Sequence, residues 1–195
     1  MDTALDREIS FILEADRLKS VLRASVLADR SRRENSGEHS WHVALAALVL
    51  SEHAQPGVSV DRAIRMLLLH DLVEIDAGDA PIHSTYDHAA QEAKERAAAA
   101  RIFGLLPEAH RSEFHALWEE FEDGTSPDAA FARAVDRALP MLLNLASGGG
   151  TWDDYDVTLA QIDDKIGPPV ARGLPGLWPR LRARVAPWFV ARGRG

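Results

Sequence analysis

The chain has 195 residues, 46% of them apolar and 27% charged, a globular balance that excludes a disordered chain. Acids number 30 against 22 Lys and Arg, and the net charge of −8 speaks against general nucleic-acid binding while still permitting a small anion beside a metal or an Arg cluster. There is no cysteine, which excludes disulfides, thiolate zinc sites, iron–sulfur clusters and Cys nucleophiles, so any metal must sit on His, Asp or Glu.

The segment from Met1 to Glu8 is too charged for a signal peptide. No run approaches the ~20 apolar residues of a membrane span, so a soluble cytoplasmic protein without a membrane partner is expected. Ala and Leu dominate over β-branched residues, which favours helix over strand. The spacing predicts a helix over residues 5–14, with Ile9, Phe11, Ile12 and Leu13 on its apolar side. Leu18, Leu22 and Val26 continue at helical spacing in a second segment. A polar stretch follows over residues 28–37. In it Asn35 and Glu38 stand three apart, as in a capping box.

The next helix starts near Ser36, turns Val43, Ala46, Ala47 and Leu50 inward, and closes at Pro56-Gly57. Ser59 or Asp61 opens another, carrying Ile64, Leu67, Leu68, Leu72 and Ile75 and ending at Gly78 and Pro81. Residues 86–103 are Ala-rich and helical, and Pro107 starts a helix through Phe114, Leu117, Trp118 and Phe121. Ser126-Pro127-Asp128 supplies an N-cap, a first-turn Pro and a first-turn acid. That helix runs toward Leu145 and stops at Gly148-Gly149-Gly150. Pro140 lies inside it and removes the donor for the Asp136 carbonyl, which predicts a kink there. Residues 156–166 and 177–190 complete an all-α single domain over 1–195, of about eight helices. Gly and Arg in the tail 191–195 predict a loose end.

His70-Asp71 ends the apolar run Met66-Leu67-Leu68-Leu69, where burying a carboxylate costs several kcal/mol unless a cation or donors meet it. The plain alternative is a surface pair at a helix edge. Residues 70–79 hold four acids, Asp71, Glu74, Asp76 and Asp79, with no Lys or Arg among them. Acids this close repel, and a bound cation relieves the repulsion. A solvated helix end is the competing account, but it explains poorly why the acids interrupt Leu72, Val73 and Ile75. His39 in a first helical turn, and Asp136 among Val135, Ala138 and Leu139, are ordinary residues if taken singly. From Asp16 to Arg33 six basic residues form a local positive patch, and one or two of them suffice to clamp a phosphate. No Gly-Lys-Ser/Thr follows the glycine run and no Gly-x-Ser-x-Gly elbow exists, so neither a phosphate loop nor a serine hydrolase is supported.

The order His39, His70-Asp71, Asp136 in a helical chain of this size resembles the HD-domain metal-dependent phosphohydrolases. Arg33-Glu34-Asn35-Ser36-Gly37-Glu38-His39-Ser40-Trp41 is similar to the approach to the first ligand helix in their 5′-deoxynucleotidase branch. His70-Asp71-Leu72-Val73-Glu74-Ile75-Asp76-Ala77-Gly78-Asp79 is similar to that branch's His-Asp-x-x-Glu-x-x-x-Gly-Asp segment. The resemblance covers roughly residues 10–150, the expected HD core, on which helices of 151–190 would pack.

The resemblance implies that His39, His70, Asp71 and Asp136 ligate one divalent metal. Two imidazoles and two carboxylates suit Mn, Co, Fe, Ni or Zn better than Mg. It gives Glu74 and Asp79 as the catalytic acids. It gives Arg23, at a one-residue offset, as the contact to substrate phosphate, with Arg33 competing for that role. The implied reaction releases phosphate from a (deoxy)nucleoside 5′-monophosphate, and a homodimer is implied too. Trp152, Trp178 or Trp188 would support the dimer if exposed. The alternatives are an HD phosphohydrolase acting on a nucleoside triphosphate or cyclic nucleotide, and a non-catalytic metal- or nucleotide-binding module.

Overall fold

The computed structural model describes residues 3–195; Met1 and Asp2, part of the charged N-terminal run, lie outside the described residues. In chain order it contains α1 (Ala4–Ala15), a 3₁₀ turn (Asp16–Ser20), β1 (Leu22–Val26), β2 (Arg33–Asn35), α2 (Ser36–Val49) and α3 (Val60–Leu69). A 3₁₀ turn (His70–Val73) and the short α4 (Glu74–Ala77) lead to α5 (His88–Phe103), α6 (Glu108–Asp123) and α7 (Pro127–Ala146). The chain ends with α8 (Thr151–Asp154), α9 (Leu159–Lys165), α10 (Gly167–Gly173) and α11 (Trp178–Val190). The fold is helical as expected, with a two-stranded hairpin as the exception among the described residues.

Residues 22–26 correct the reading of a second helical segment. A spacing of four is shared by a helical face and by one face of a strand, so Leu18, Leu22 and Val26 did not discriminate. In β1 the side chains of Ala24 and Ser25 are buried and Leu22 faces out. β1 pairs antiparallel with β2, Leu22 opposite Asn35 and Val26 opposite Arg33, with an irregularity between. The connecting turn is closed by Leu27 N–H donating to the Arg32 carbonyl at 3.0 Å and by Asp29 Oδ1 accepting from Ser31 N–H at 2.9 Å.

α1 also differs from expectation. Phe11 is buried, while Leu5, Ile9, Ile12 and Leu13 are exposed. α2 begins as predicted: the Asn35 side chain accepts from Glu38 N–H, and Glu38 answers to Asn35 N–H. Val43 and Ala47 of α2 are fully buried, with Ala46 and Leu50 packing at the edge of the core. α3 stops at Leu69 instead of continuing to Ile75, and Leu68, expected inward, is exposed. The tighter turn of residues 70–73 rotates successive side chains by more than an α-helix does, and His70, Asp71, Leu72, Val73 and Glu74 all become buried. α7 continues unbroken through Pro140.

Two apolar clusters form. One joins Phe11, Val43, Leu67, Phe103, Leu117, Phe131 and Leu139. The other joins Ala138, Met141, Trp152, Ile162, Val170, Leu181 and Phe189. α7 contributes to both. α10 was not anticipated, because Gly167-Pro168-Pro169 reads as a breaker; the prolines instead occupy the first turn, where no N–H is needed. Gly173 lets α10 approach α7 so closely that a Cβ there would overlap the Ala130 carbonyl. The C-terminal tail is not loose: Leu159 N–H donates to the Arg194 carbonyl at 2.9 Å, and Arg194 N–H to the Phe189 carbonyl at 3.0 Å. Among the described residues no helix is long and apolar enough to cross a membrane.

Candidate metal centre

Three elements converge on one point. The cap at Asn35 fixes the start of α2, so that His39, one turn in, points into the interior and is fully buried. The 3₁₀ turn after α3 delivers His70 and Asp71 together. α7 supplies Asp136 from its middle, between buried Val135 and Leu139. One donor atom from each of His39, His70 and Asp136 lies within 4.8 Å of the others. His39 Nε2 is 2.9 Å and His70 Nε2 3.6 Å from Asp136 Oδ1, and His70 Nε2 is 3.0 Å from Asp71 Oδ1.

The outer face of the His70 ring is held. His70 Nδ1 lies 2.8 Å from the Leu67 carbonyl, which can only accept, so the ring N–H is on Nδ1 and Nε2 offers its lone pair inward. Glu34 Oε2 lies 3.5 Å from His39 Nδ1, close but without a hydrogen bond between them. Buried His70 Nε2 has no hydrogen-bond partner among the protein groups around it. Two imidazole nitrogens and the Asp136 carboxylate converging, with Asp71 beside them and an orphaned buried nitrogen among them, fit a divalent transition ion.

Arg23 is the counter-cation from β1. Its Nη1 lies 2.8 Å from Asp71 Oδ2 and 3.8 Å from both Glu74 Oε1 and Asp79 Oδ1, and its Nε is 3.7 Å from Glu34 Oε2. Burial opposes its charge, but Asp71, Glu74 and Asp79 outweigh burial and hold the guanidinium above its usual value. Asp79 is anchored by Ala24 N–H, which donates to Oδ2 at 3.1 Å, and Glu74 accepts from the Ser36 hydroxyl at 2.5 Å.

Burial pushes the Glu74 carboxyl well above the usual range, with Asp71 adding repulsion against the offset of Arg23. Asp79 is raised by burial as well, again partly offset by Arg23. Asp136 moves the other way: burial would raise it, but Arg137, the hydrogen bond with His39 and the nearby His70 ring hold it well below. Burial and Arg23 oppose charge on His39, yet Asp136 and Glu34 raise it; for His70, Asp71 and Asp136 overcome burial. One constellation thus contains a carboxylate kept ionised and two carboxyls that hold protons more readily.

Of the expected residues, His39, His70 and Asp136 converge, Asp71 stands beside His70, and Glu74, Asp79 and Arg23 are brought together next to them. Arg33 is not: it is exposed on the outer strand, its Nη1 donating to the Ala24 carbonyl at 3.3 Å. Sequence reasoning passed over Glu34, which is buried beside His39 and Arg23. Its one signal was an acid directly before the capping box. Reasoning also passed over the cavity that opens from the centre. About 640 Å3 of space, including the open mouth, lies among Arg23, Asp79, Asp136, Arg137, His83 and Trp152. Trp152, weighed as a possible exposed dimer residue, is fully buried.

Comparison with known proteins places these features. Residues 15–178 match the family model described as HD domain. The chain is 30% identical over 163 residues to the 5′-deoxynucleotidase HDDC2 of Homo sapiens, covering 80% of this chain and 78% of that one. It is 29% identical over 133 residues to the Danio rerio protein of the same name, covering 68% and 65%. A crystal structure of a predicted metal-dependent phosphohydrolase from Magnetospirillum magnetotacticum superposes with a TM-score of 0.92 at 46% identity, over 99% of this chain and 98% of that one.

Proposed function

The chain belongs to the HD-domain family of metal-dependent phosphohydrolases, and on that premise we propose that it releases phosphate from (deoxy)nucleoside 5′-monophosphates. The observation that carries the reading is the pairing of three converging donors, His39, His70 and Asp136, and the adjacent Asp71 with two further acids, Glu74 and Asp79, beside a cavity. A purely structural metal site needs its ligands and no more. The names of the relatives support the substrate class.

His39, His70, Asp71 and Asp136 would hold one divalent ion, Mn, Co, Fe, Ni or Zn rather than Mg. Bound there, such an ion would supply Lewis acidity and lower the pKa of a water toward neutrality. The rest falls to the chain. Asp79, fixed by the Ala24 N–H, orients the attacking water and takes its proton. Glu74, fixed by Ser36, lies 3.8 Å from Arg23 Nη1 and helps to hold that cation in the site. Arg23 turns its guanidinium to the equatorial phosphate oxygens as charge develops on them. Attack at phosphorus expels the 5′-oxygen, and no covalent intermediate is required.

A homodimer belongs to the same reading. Trp41, Leu45, Leu48 and Val49 form a stripe at i, i+4, i+7 and i+8 on the outer face of α2, and all four are exposed.

The test is phosphate release from ribo- and deoxynucleoside monophosphates with Mn²⁺, Co²⁺ or Mg²⁺, with Asp71→Ala run alongside. Metal-dependent release by the wild type alone establishes the activity. Retained turnover in metal-loaded Asp71→Ala refutes the ligand set. Release only from triphosphates or cyclic nucleotides reassigns the substrate, and no release from any of them leaves a binding module.

A further inference from the structure

The cavity beside the metal centre has two unlike ends. Arg23, Asp79, Asp136 and Arg137 make a charged end, and Pro140, Met141, Trp152, Tyr155 and Ile166 line an apolar one. On the apolar side Asn144 and Thr151 spend their hydrogen bonds on each other: Asn144 Nδ2 donates to Thr151 Oγ1 at 2.9 Å, and Thr151 N–H donates to Asn144 Oδ1 at 3.3 Å. Besides Arg23 Nε at the charged end, two buried polar atoms of lining residues remain without a partner, Trp152 Nε1 and His83 Nδ1. A buried indole N–H ordinarily finds an acceptor, so its lack of one in a cavity wall points to a ligand atom.

We infer that His83 and Trp152 form the subsite for the leaving group of the phosphoester, and that they select an uncharged planar group carrying hydrogen-bond acceptors. The inference rests on the phosphohydrolase reading and adds to it the residues that choose among substrates.

Trp152 is placed rigidly for this role. It is fully buried, with its ring centroid 4.7 Å from Phe189 and 5.0 Å from Trp188. An indole nitrogen only donates, so its partner must be an acceptor. His83 sits on the turn after Asp79, where Ser84 N–H donates to the Pro81 carbonyl at 2.9 Å. Lys165 of α9 donates to the Ile82 carbonyl at 2.9 Å and ties that turn to the C-terminal helices that carry Trp152's packing. Burial, with Lys165 and Arg137 nearby, holds the His83 ring down to about 4, so at neutral pH it offers one donor and one acceptor. The same two cations disfavour a positively charged leaving group.

The experiment compares wild type, His83→Ala and Trp152→Phe on two esters: the best nucleoside monophosphate, and phenyl phosphate, whose leaving group lacks ring acceptors. The phosphate-free nucleoside is titrated into each protein by calorimetry. The expected result is a tenfold or greater rise in KM for the nucleotide with kcat little changed, phenyl phosphate hydrolysed as before, and nucleoside binding weakened tenfold. Trp152→Phe keeps an aromatic ring but removes the five-membered ring together with its N–H, so its folding is checked by circular dichroism before the kinetics are read. If it does not fold, His83→Ala carries the comparison. Equal loss on both esters, or no loss on the nucleotide, overturns the subsite. If the wild type cleaves neither ester, the phosphohydrolase reading fails, and the calorimetric titration alone then decides the subsite: no nucleoside binding, or binding untouched by the substitutions, overturns it.

Discussion

Arg23 Nη1 stands 2.8 Å from Asp71 Oδ2, bridging a strand and a 3₁₀ turn that are 48 residues apart in the chain. The cation expected at the substrate phosphate is therefore also the partner of Asp71, the carboxylate proposed as a ligand. It lies among Glu34, Asp71, Glu74 and Asp79, and its side chain is 14% exposed. Removing one member of a buried charge pair leaves the other uncompensated, at about 3–5 kcal/mol.

Arg23→Ala is therefore expected to lower the stability of the metal-free protein by several kcal/mol, in the ~3–5 range for a broken buried pair. It should also lower kcat/KM about 100-fold or more by loss of charge stabilisation. Metal affinity should hold or tighten, because a competing cation has gone. Metal titration of the variant checks the last point; a large loss of affinity would show that Arg23 organises the ligands. Arg33→Ala, on the outer strand, should leave turnover within about twofold.

Asp79→Asn is expected to retain the metal and lose about 10²–10⁴ in kcat, the range for a general acid–base group. Bound metal is counted by elemental analysis, and its loss in this variant would make Asp79 a ligand. Glu74→Gln should behave differently in the metal-free protein. The folded-state pKa of Glu74 is raised, so ionised Glu74 opposes folding above its ordinary range. Gln removes that opposition, and the metal-free melting temperature should rise at neutral pH.

The gain in melting temperature on adding metal is expected to grow between about pH 6 and pH 9. His39 and His70 have raised values in the metal-free fold. Their contribution to stability is complete below the ordinary imidazole pKa and is lost as pH rises through the folded-state values. A metal must displace those protons, so it binds better as they leave. Thermal scans with and without Mn²⁺ across this range check it, and a constant gain would show that neither ring is a ligand.

Trp41→Glu with Leu48→Glu is expected to turn a dimer into a monomer while leaving metal binding in place. Sedimentation of the wild type and the double variant checks this. A wild type that is already monomeric removes α2 as an interface.

The residues proposed as ligands could be picked out because their signals are local. His70-Asp71 after an apolar run, acids without cations, and the Asn35–Glu38 cap all lie within a few residues of the atoms they place. The caps at Asn35 and Ser126 were found for the same reason. The hairpin was not, because β1 is held by tertiary partners: β2, and an Asp79 carboxylate 55 residues on that takes the Ala24 N–H. Glu34 escaped for a related cause. Its burial depends on that hairpin, and an acid beside Arg33 in sequence reads as an exposed pair. The outward stripe of α1 escaped because periodicity shows that a helix has an apolar face but not which way it turns. The cavity wall was invisible because His83, Asn144 and Trp152 come from three separate segments.

The placement of α7 separates chemistry from choice. Val135 and Leu139 anchor it in one apolar cluster, Ala138 and Met141 in the other, and Asp136 lies between them. The remaining donors come from residues 39–71, whereas the apolar cavity wall is built largely from residues 140–166. Drift in that C-terminal portion can reshape what is accepted while reaching the metal only through one helix. Lineages sharing this scaffold can therefore exchange one phosphoester for another without having to evolve a new way of holding the ion.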